Sequence, residues 1–185
     1  TNDSNNENNL DQNSKSYLSD ISKFLDLFDD SKLALDIFTL LEASRIDKKV
    51  LRVYQGIKED CLKVQNIAIT NRPKIEELPT REALVEILIK YSINPNIKIN
   101  IPKIHKDTIL RLSIFVDKMN SPKALVEDSA EATIRIYKIL SEIENTVSDE
   151  QEFEELDLDQ DNQNEENSEE NDQVIKDILD YFQSF

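Results

Sequence analysis

The side chains able to do chemistry in this chain are few, and they are scattered. His105 is the single histidine and Cys61 the single cysteine. A metal site needs several such ligands at short spacing, and neither residue has a Cys, His or Asp cluster around it. His105 follows a Pro-bounded connector at the start of a helical stretch. Cys61 falls on the apolar stripe of its own helix, where a thiol behaves as a small buried hydrophobe. The acid pairs Glu76-Glu77 and Glu142/Glu144 are spaced so that their side chains diverge around a helix, so they do not converge on a substrate as an acid–base couple must. With a single glycine, no Gly-rich loop can cradle a phosphate, which excludes the Walker and dinucleotide fingerprints. These residues predict a non-enzymatic protein with no cofactor and no bound metal.

The positioning elements are clearer than the chemistry. Apolar residues recur at helical spacing in six stretches. Tyr17, Leu18, Ile21, Phe24, Leu25 and Phe28 make the first, and Asp29-Asp30-Ser31 ends it and caps the next. Leu33, Ile37, Leu40 and Leu41 form the second. A tight corner at Ser44-Arg45-Ile46-Asp47, resembling a capping box, is expected to lead into the third. That helix carries the broadest stripe: Ile46, Val50, Val53, Ile57, Cys61, Val64 and Ala68. It is the stretch expected to seed the core. Pro73 and Leu78-Pro79-Thr80 punctuate the chain, Thr80 being the expected N-cap of a fourth helix through Leu84, Leu88 and Tyr91. A fifth holds Ile109, Leu112, Phe115, Val116 and Met119. Asn120-Ser121-Pro122 stops it and starts a sixth, which runs to about Thr146. Between the fourth and fifth, NIKINIPKI (96–104) alternates like a strand. With no evident partner strand it is read as an extended connector tucking its isoleucines into the core. The expected fold is all-α, a single bundle of about six helices over residues 16–147.

Charge divides the chain sharply. The formal net charge is −16, yet residues 149–172 hold 13 of the 38 acids and no Lys or Arg, and residues 16–148 balance 20 acids with 20 bases. Residues 1–15 are Asn- and Ser-rich and are expected to be disordered, as is the acidic linker 148–172. The body has no basic excess for nucleic acid. No apolar run approaches a membrane span and no signal-peptide pattern opens the sequence, so an intracellular setting, nucleus or cytoplasm, is expected.

The last thirteen residues differ from the linker before them. Ile178, Leu179, Tyr181, Phe182 and Phe185 crowd large apolar groups onto an acidic arm. Such side chains call for a groove. The expectation adopted is a partner protein's groove, with Tyr181, Phe182 and Phe185 as anchors. The other destination open to them is the chain's own domain, as a seventh helix.

Ala34-Leu35-Asp36-Ile37-Phe38-Thr39-Leu40-Leu41 followed by Ser44–Lys58, with Val50-Leu51 and Gln55-Gly56-Ile57-Lys58 after the corner, resembles the second and third helices of the transcription elongation factor S-II N-terminal domain family, which includes integrase-binding domains. The resemblance implies a transcription or chromatin scaffold that binds short peptides made of acids followed by phenylalanines. Two stretches of this chain look like such peptides themselves: Glu150-Gln-Glu-Phe153, which adds Phe153 to the expected partner-binding residues, and Ile178–Phe185. The function expected is therefore a scaffold or adaptor whose partners are other proteins. An acidic escort of a basic partner such as histones, or an obligate subunit of a larger assembly, is the alternative.

The charge balance generates a first prediction. Duplex DNA should bind no more tightly than about 10⁻⁴ M at physiological salt, the weak non-specific range. Anisotropy titration with a labelled duplex checks it, and micromolar affinity that falls with added salt would refute it.

Overall fold

The computed structural model describes residues 20–147 and 152–158. Among these, six α-helices and a two-stranded sheet follow one another as α1 Asp20–Leu25, α2 Ser31–Val53, α3 Lys58–Thr70, α4 Thr80–Ile93, β1 Lys98–Pro102, α5 Lys106–Lys118, α6 Val126–Ser141 and β2 Phe153–Asp157. The chain is a helical bundle, as its periodicity predicts. The Asn-rich stretch 1–15 and the apolar stretch 173–185 lie outside the described residues.

The layering is set by where the apolar residues fall. On α4, six consecutive residues from Ala83 to Leu88 are buried, so this helix has no solvent face over that stretch and the others wrap it. The N-terminal half of α2 packs on α4 and α6, and α5 packs on α4. Ile37, Leu41, Leu84, Ile87, Leu88, Ile109, Leu112, Ile136 and Leu140 are fully buried where they meet. The Asp30 carboxylate accepts from the Leu33 N–H at 2.9 Å, which is the expected cap on α2. Phe28 stacks edge-on to Tyr137 with ring centroids 4.7 Å apart, tying the α1–α2 turn to α6.

The N-terminus of α4 and the end of α6 cap each other. Thr80 donates to the Thr146 carbonyl at 2.8 Å rather than capping α4 itself, and Arg81 donates to the carbonyls of Ile143 at 2.8 Å and Ser141 at 3.0 Å. These bonds satisfy carbonyls that a helix end leaves open.

Three sequence expectations need correction. The corner at Ser44–Asp47 is not formed, and α2 runs unbroken through it for 23 residues. Nothing in 42–47 breaks a helix, and the Arg45 guanidinium bridges back one turn to Glu42 with two bonds of 2.8 Å. That bond holds the Glu42 carboxyl below its ordinary range. The break comes instead at Tyr54, before a 3₁₀ turn at Gln55–Ile57 that contains the lone glycine, a residue that costs about 1 kcal/mol in a helix interior. The sixth helix starts at Val126 and ends at Ser141, not at 122–146. It is opened by Asp128, whose carboxylate accepts from the Leu125 N–H at 2.7 Å.

The third correction concerns the acidic linker. Residues 153–157 form β2, antiparallel to β1, with Ile99 opposite Leu156 and Pro102 opposite Phe153. The segment 96–104 is thus a paired strand rather than a lone connector, although its Ile99 and Ile101 do enter the core as expected. Leu156 is 2% exposed and Leu158 fully buried. Along the joint, Lys98 pairs with Glu155 at 3.5 Å, Lys103 with Glu152 at 2.9 Å and Lys106 with Glu154 at 3.5 Å. The acids expected to repel one another in a linker are matched by lysines about fifty residues upstream.

Burial of this segment is testable. Leu158→Ala should lower stability by about 2–4 kcal/mol, the cost of a core cavity. In a solvated linker the same change stays within about 0.5 kcal/mol. Denaturant unfolding of the full chain distinguishes the two.

Candidate interaction surface

The widest apolar stripe in the sequence is the one the fold does not bury. Beyond Ser44, α2 has no buried residue, and α3 has none along its whole length. Ile46 is 47% exposed, Val53 64%, Val64 66% and Ile67 62%. Amphipathic periodicity says that a helix has an apolar face. It does not say that the same chain supplies the cover.

The arm is nevertheless held firmly. Glu59 and Asp60 open α3, acids at the positive end of the helix dipole. The Gln65 amide donates to the Asp47 carboxylate of α2 at 3.3 Å. At the far end, Arg72 reaches α4 and forms a bidentate pair with Glu86, its Nη2 donating to Oε2 at 2.7 Å. Glu86 is buried while Arg72 is about a third exposed, and the bond raises the Arg72 guanidinium above its ordinary range. Lys90 donates to the Pro73 carbonyl at 2.9 Å. So α3 stands off the bundle but is tied to it at its middle and just past its C-terminal end.

Two clefts flank it, with opposite electrostatics. One, of about 640 Å³, lies between α2, α3 and α4, with Leu35, Leu40, Ala43, Val64, Ala68, Val85 and Ile89 among its walls. Its lining includes Asp30, Asp36, Asp47, Glu82 and Glu86 against only Lys32 and Arg72. Both cations are already paired, Lys32 with Asp36 at 3.0 Å and Arg72 with Glu86. Two oxygens lining this groove, Ser44 Oγ and Glu82 Oε2, are buried without a hydrogen-bond partner among the described residues. Ser44 is 4% exposed. Buried polar atoms are seldom left so. The other cleft, of about 830 Å³, sits in the elbow of α2 and α3 against the end of α4. It is lined by Lys48, Arg52 and Lys58 with no acid, over Leu51, Leu62 and Ile93. A third, about 530 Å³, between α5 and α6 sets Lys118, Lys123 and Arg135 against Asp128 and Glu131, a mixed lining with one base in excess.

The residues weighed for chemistry are not brought together. His105 is half-buried at the start of α5, and burial pushes its imidazole below the ordinary range. Cys61 is half-buried on α3. Glu77 pairs with Lys74 at 3.3 Å on the surface, and Glu142 and Glu144 are exposed past the end of α6. Among the described residues no group of three or more metal-ligating side chains converges, and no helix is long and apolar enough to cross a membrane. Of the partner-binding residues expected from the sequence, Phe153 is half-buried against the body's own core, because strand pairing places it opposite Pro102. Ile178, Leu179, Tyr181, Phe182 and Phe185 lie outside the described residues. Sequence reasoning misses the grooves themselves, since it assigns the stripe from Ile46 to Ala68 to the core. Comparisons of the chain with protein-family models, curated proteins and solved structures return no match.

The Arg72–Glu86 pair governs this surface. Arg72→Ala should destabilise the protein by about 2–3 kcal/mol, less than the 3–5 of a fully buried pair because the guanidinium is partly solvated. Replacing both residues with leucine should recover most of that loss. Denaturant unfolding measures the first effect, and hydrogen exchange should show α3 losing protection in the single variant.

Proposed function

We propose that this protein is a non-enzymatic interaction module, a scaffold or adaptor, that holds a basic, apolar-faced helix of a partner protein in the groove between α2, α3 and α4. One observation carries the reading: α3 is thirteen residues long, buries none of them, and overhangs a groove with an apolar floor and an acid-rich rim. Helix-in-groove recognition uses anchors one and two turns apart on the incoming helix. The rim sets the partner's flanking charge, since Asp47 and Glu82 favour Lys or Arg there and oppose acids.

The acidic-escort reading is less well supported. Glu152, Glu154 and Glu155 are spent on Lys103, Lys106 and Lys98 of the same chain. Residues 173–185 do not suit the groove either, because one lysine against two aspartates leaves them net acidic.

Two designed probe peptides test the proposal: an amphipathic helix with a Leu/Ile stripe flanked by Lys and Arg, and its twin with those bases changed to Glu. Burying three anchors at about 1.5–3 kcal/mol each, less an ordering cost of about 2–5 kcal/mol, places the basic peptide at a Kd no tighter than about 10⁻⁵ M. Val64→Asn together with Ala68→Gln, which removes apolar floor without adding charge, should weaken it at least tenfold while changing stability by no more than about 0.5 kcal/mol, both sites being exposed. Equal binding of the two peptides, or of neither, would refute the reading.

A further inference from the structure

The basic cleft on the other flank of α3 is opposite in charge to the C-terminal stretch of the same chain. Antiparallel register places Asp157 opposite Lys98. The strand ends at that pair, two residues along β1's chain from Asn96, which lines the cleft, and Leu158 after it is buried in the core.

The sequence after Leu158 complements the lining of the cleft. Residues 159–172 carry Asp159, Asp161, Glu165, Glu166, Glu169, Glu170 and Asp172 with no Lys or Arg, and the apolar residues from Val174 to Phe185 come next. The cleft presents three cations over an apolar floor in which Leu51 is half-buried and Leu62 43% exposed. Neither Lys48 nor Lys58 has a carboxylate partner among the described residues. Arg52 is held in place by its bond to the Asn120 carbonyl at 2.8 Å.

We infer that residues 159–185 dock in cis across this cleft, the acids against Lys48, Arg52 and Lys58 and the apolar residues beyond them against Leu51 and Leu62. A tether of a few residues gives such a segment an effective concentration in the millimolar range, so weak individual contacts suffice. The joint between β1 and β2 already uses this recognition, with Glu152, Glu154 and Glu155 laid on Lys103, Lys106 and Lys98. Docking continues that match past Leu158. It assigns the C-terminal apolar cluster to its own domain, whereas its sequence taken alone points to a partner's groove. Its charged contacts, Lys48, Arg52 and Lys58, are not among the lining of the acid-rimmed groove.

Cys61 is the only cysteine and lies on α3 next to Leu62, so a nitroxide attached there reports on the unmutated full chain. Amide signals from 159–185 should lose more than half their intensity in about 0.1 M salt and recover in about 1 M, as the Debye length falls from about 10 Å to about 3 Å. Lys48→Gln with Lys58→Gln should restore most of the lost intensity. A sample mixing spin-labelled, isotopically silent chains with label-free, isotopically enriched chains should show no broadening. Sharp tail signals at every salt concentration would overturn the inference. So would broadening that ignores the two lysines, or broadening that appears in the mixed sample, which would place the tail on a second copy. If a duplex oligonucleotide shifts Lys48 and Lys58 while the tail stays sharp, the cleft is a nucleic-acid site and the inference fails.

Discussion

Everything outward of the core depends on one buried charge. Glu86 sits in the stretch of α4 that is enclosed on all sides, and an unpaired carboxylate there would cost several kcal/mol. Arg72 removes that cost by reaching in from the link after α3. The same bond therefore satisfies the core and fixes the root of the one helix that does not belong to it. The Lys90 bond to Pro73 and the Gln65 bond to Asp47 hold the rest of the arm at its angle. A face fixed in place before it is covered has little ordering cost left to meet.

The small sheet solves a different problem. Closing a loop of about fifty residues between β1 and β2 is entropically unfavourable, though the cost grows only slowly with length. Leu156 and Leu158 enter the core to offset it, and three Lys–Glu pairs set which register is adopted. The Lys103–Glu152 bond raises the lysine and lowers the glutamate from their ordinary values. Both groups are exposed at the surface, so the pair selects a register more than it stabilises the fold.

The two flanks of α3 differ in charge. One is acid-rich and opens between α2, α3 and α4, and the other is basic and opens in the elbow of α2 and α3 against the end of α4. Opposite charge on the two sides of one helix sorts what each can accept. Like charge disfavours an acidic segment in the first and a basic one in the second.

Local signals determined much of this protein. Helical spacing in six stretches, the Asp30 cap and the scarcity of glycine are properties of neighbouring residues, and they survive folding. The helix break is easily misplaced, because Ser44-Arg45-Ile46-Asp47 has the residue types of a cap without the backbone need for one, while the true break lies by the glycine ten residues on. The strand β2 is hidden by its composition. Phe153, Leu156 and Leu158 are diluted by acids that look self-repelling until Lys98, Lys103 and Lys106 are set beside them. That match is present in the sequence as charge complementarity, but no local rule pairs segments so far apart. The surface is the least legible part. Periodicity marks Ile46 to Ala68 as an apolar face, and only the tertiary structure decides whether a face is covered, because cover depends on where α4, α5 and α6 have already found their partners.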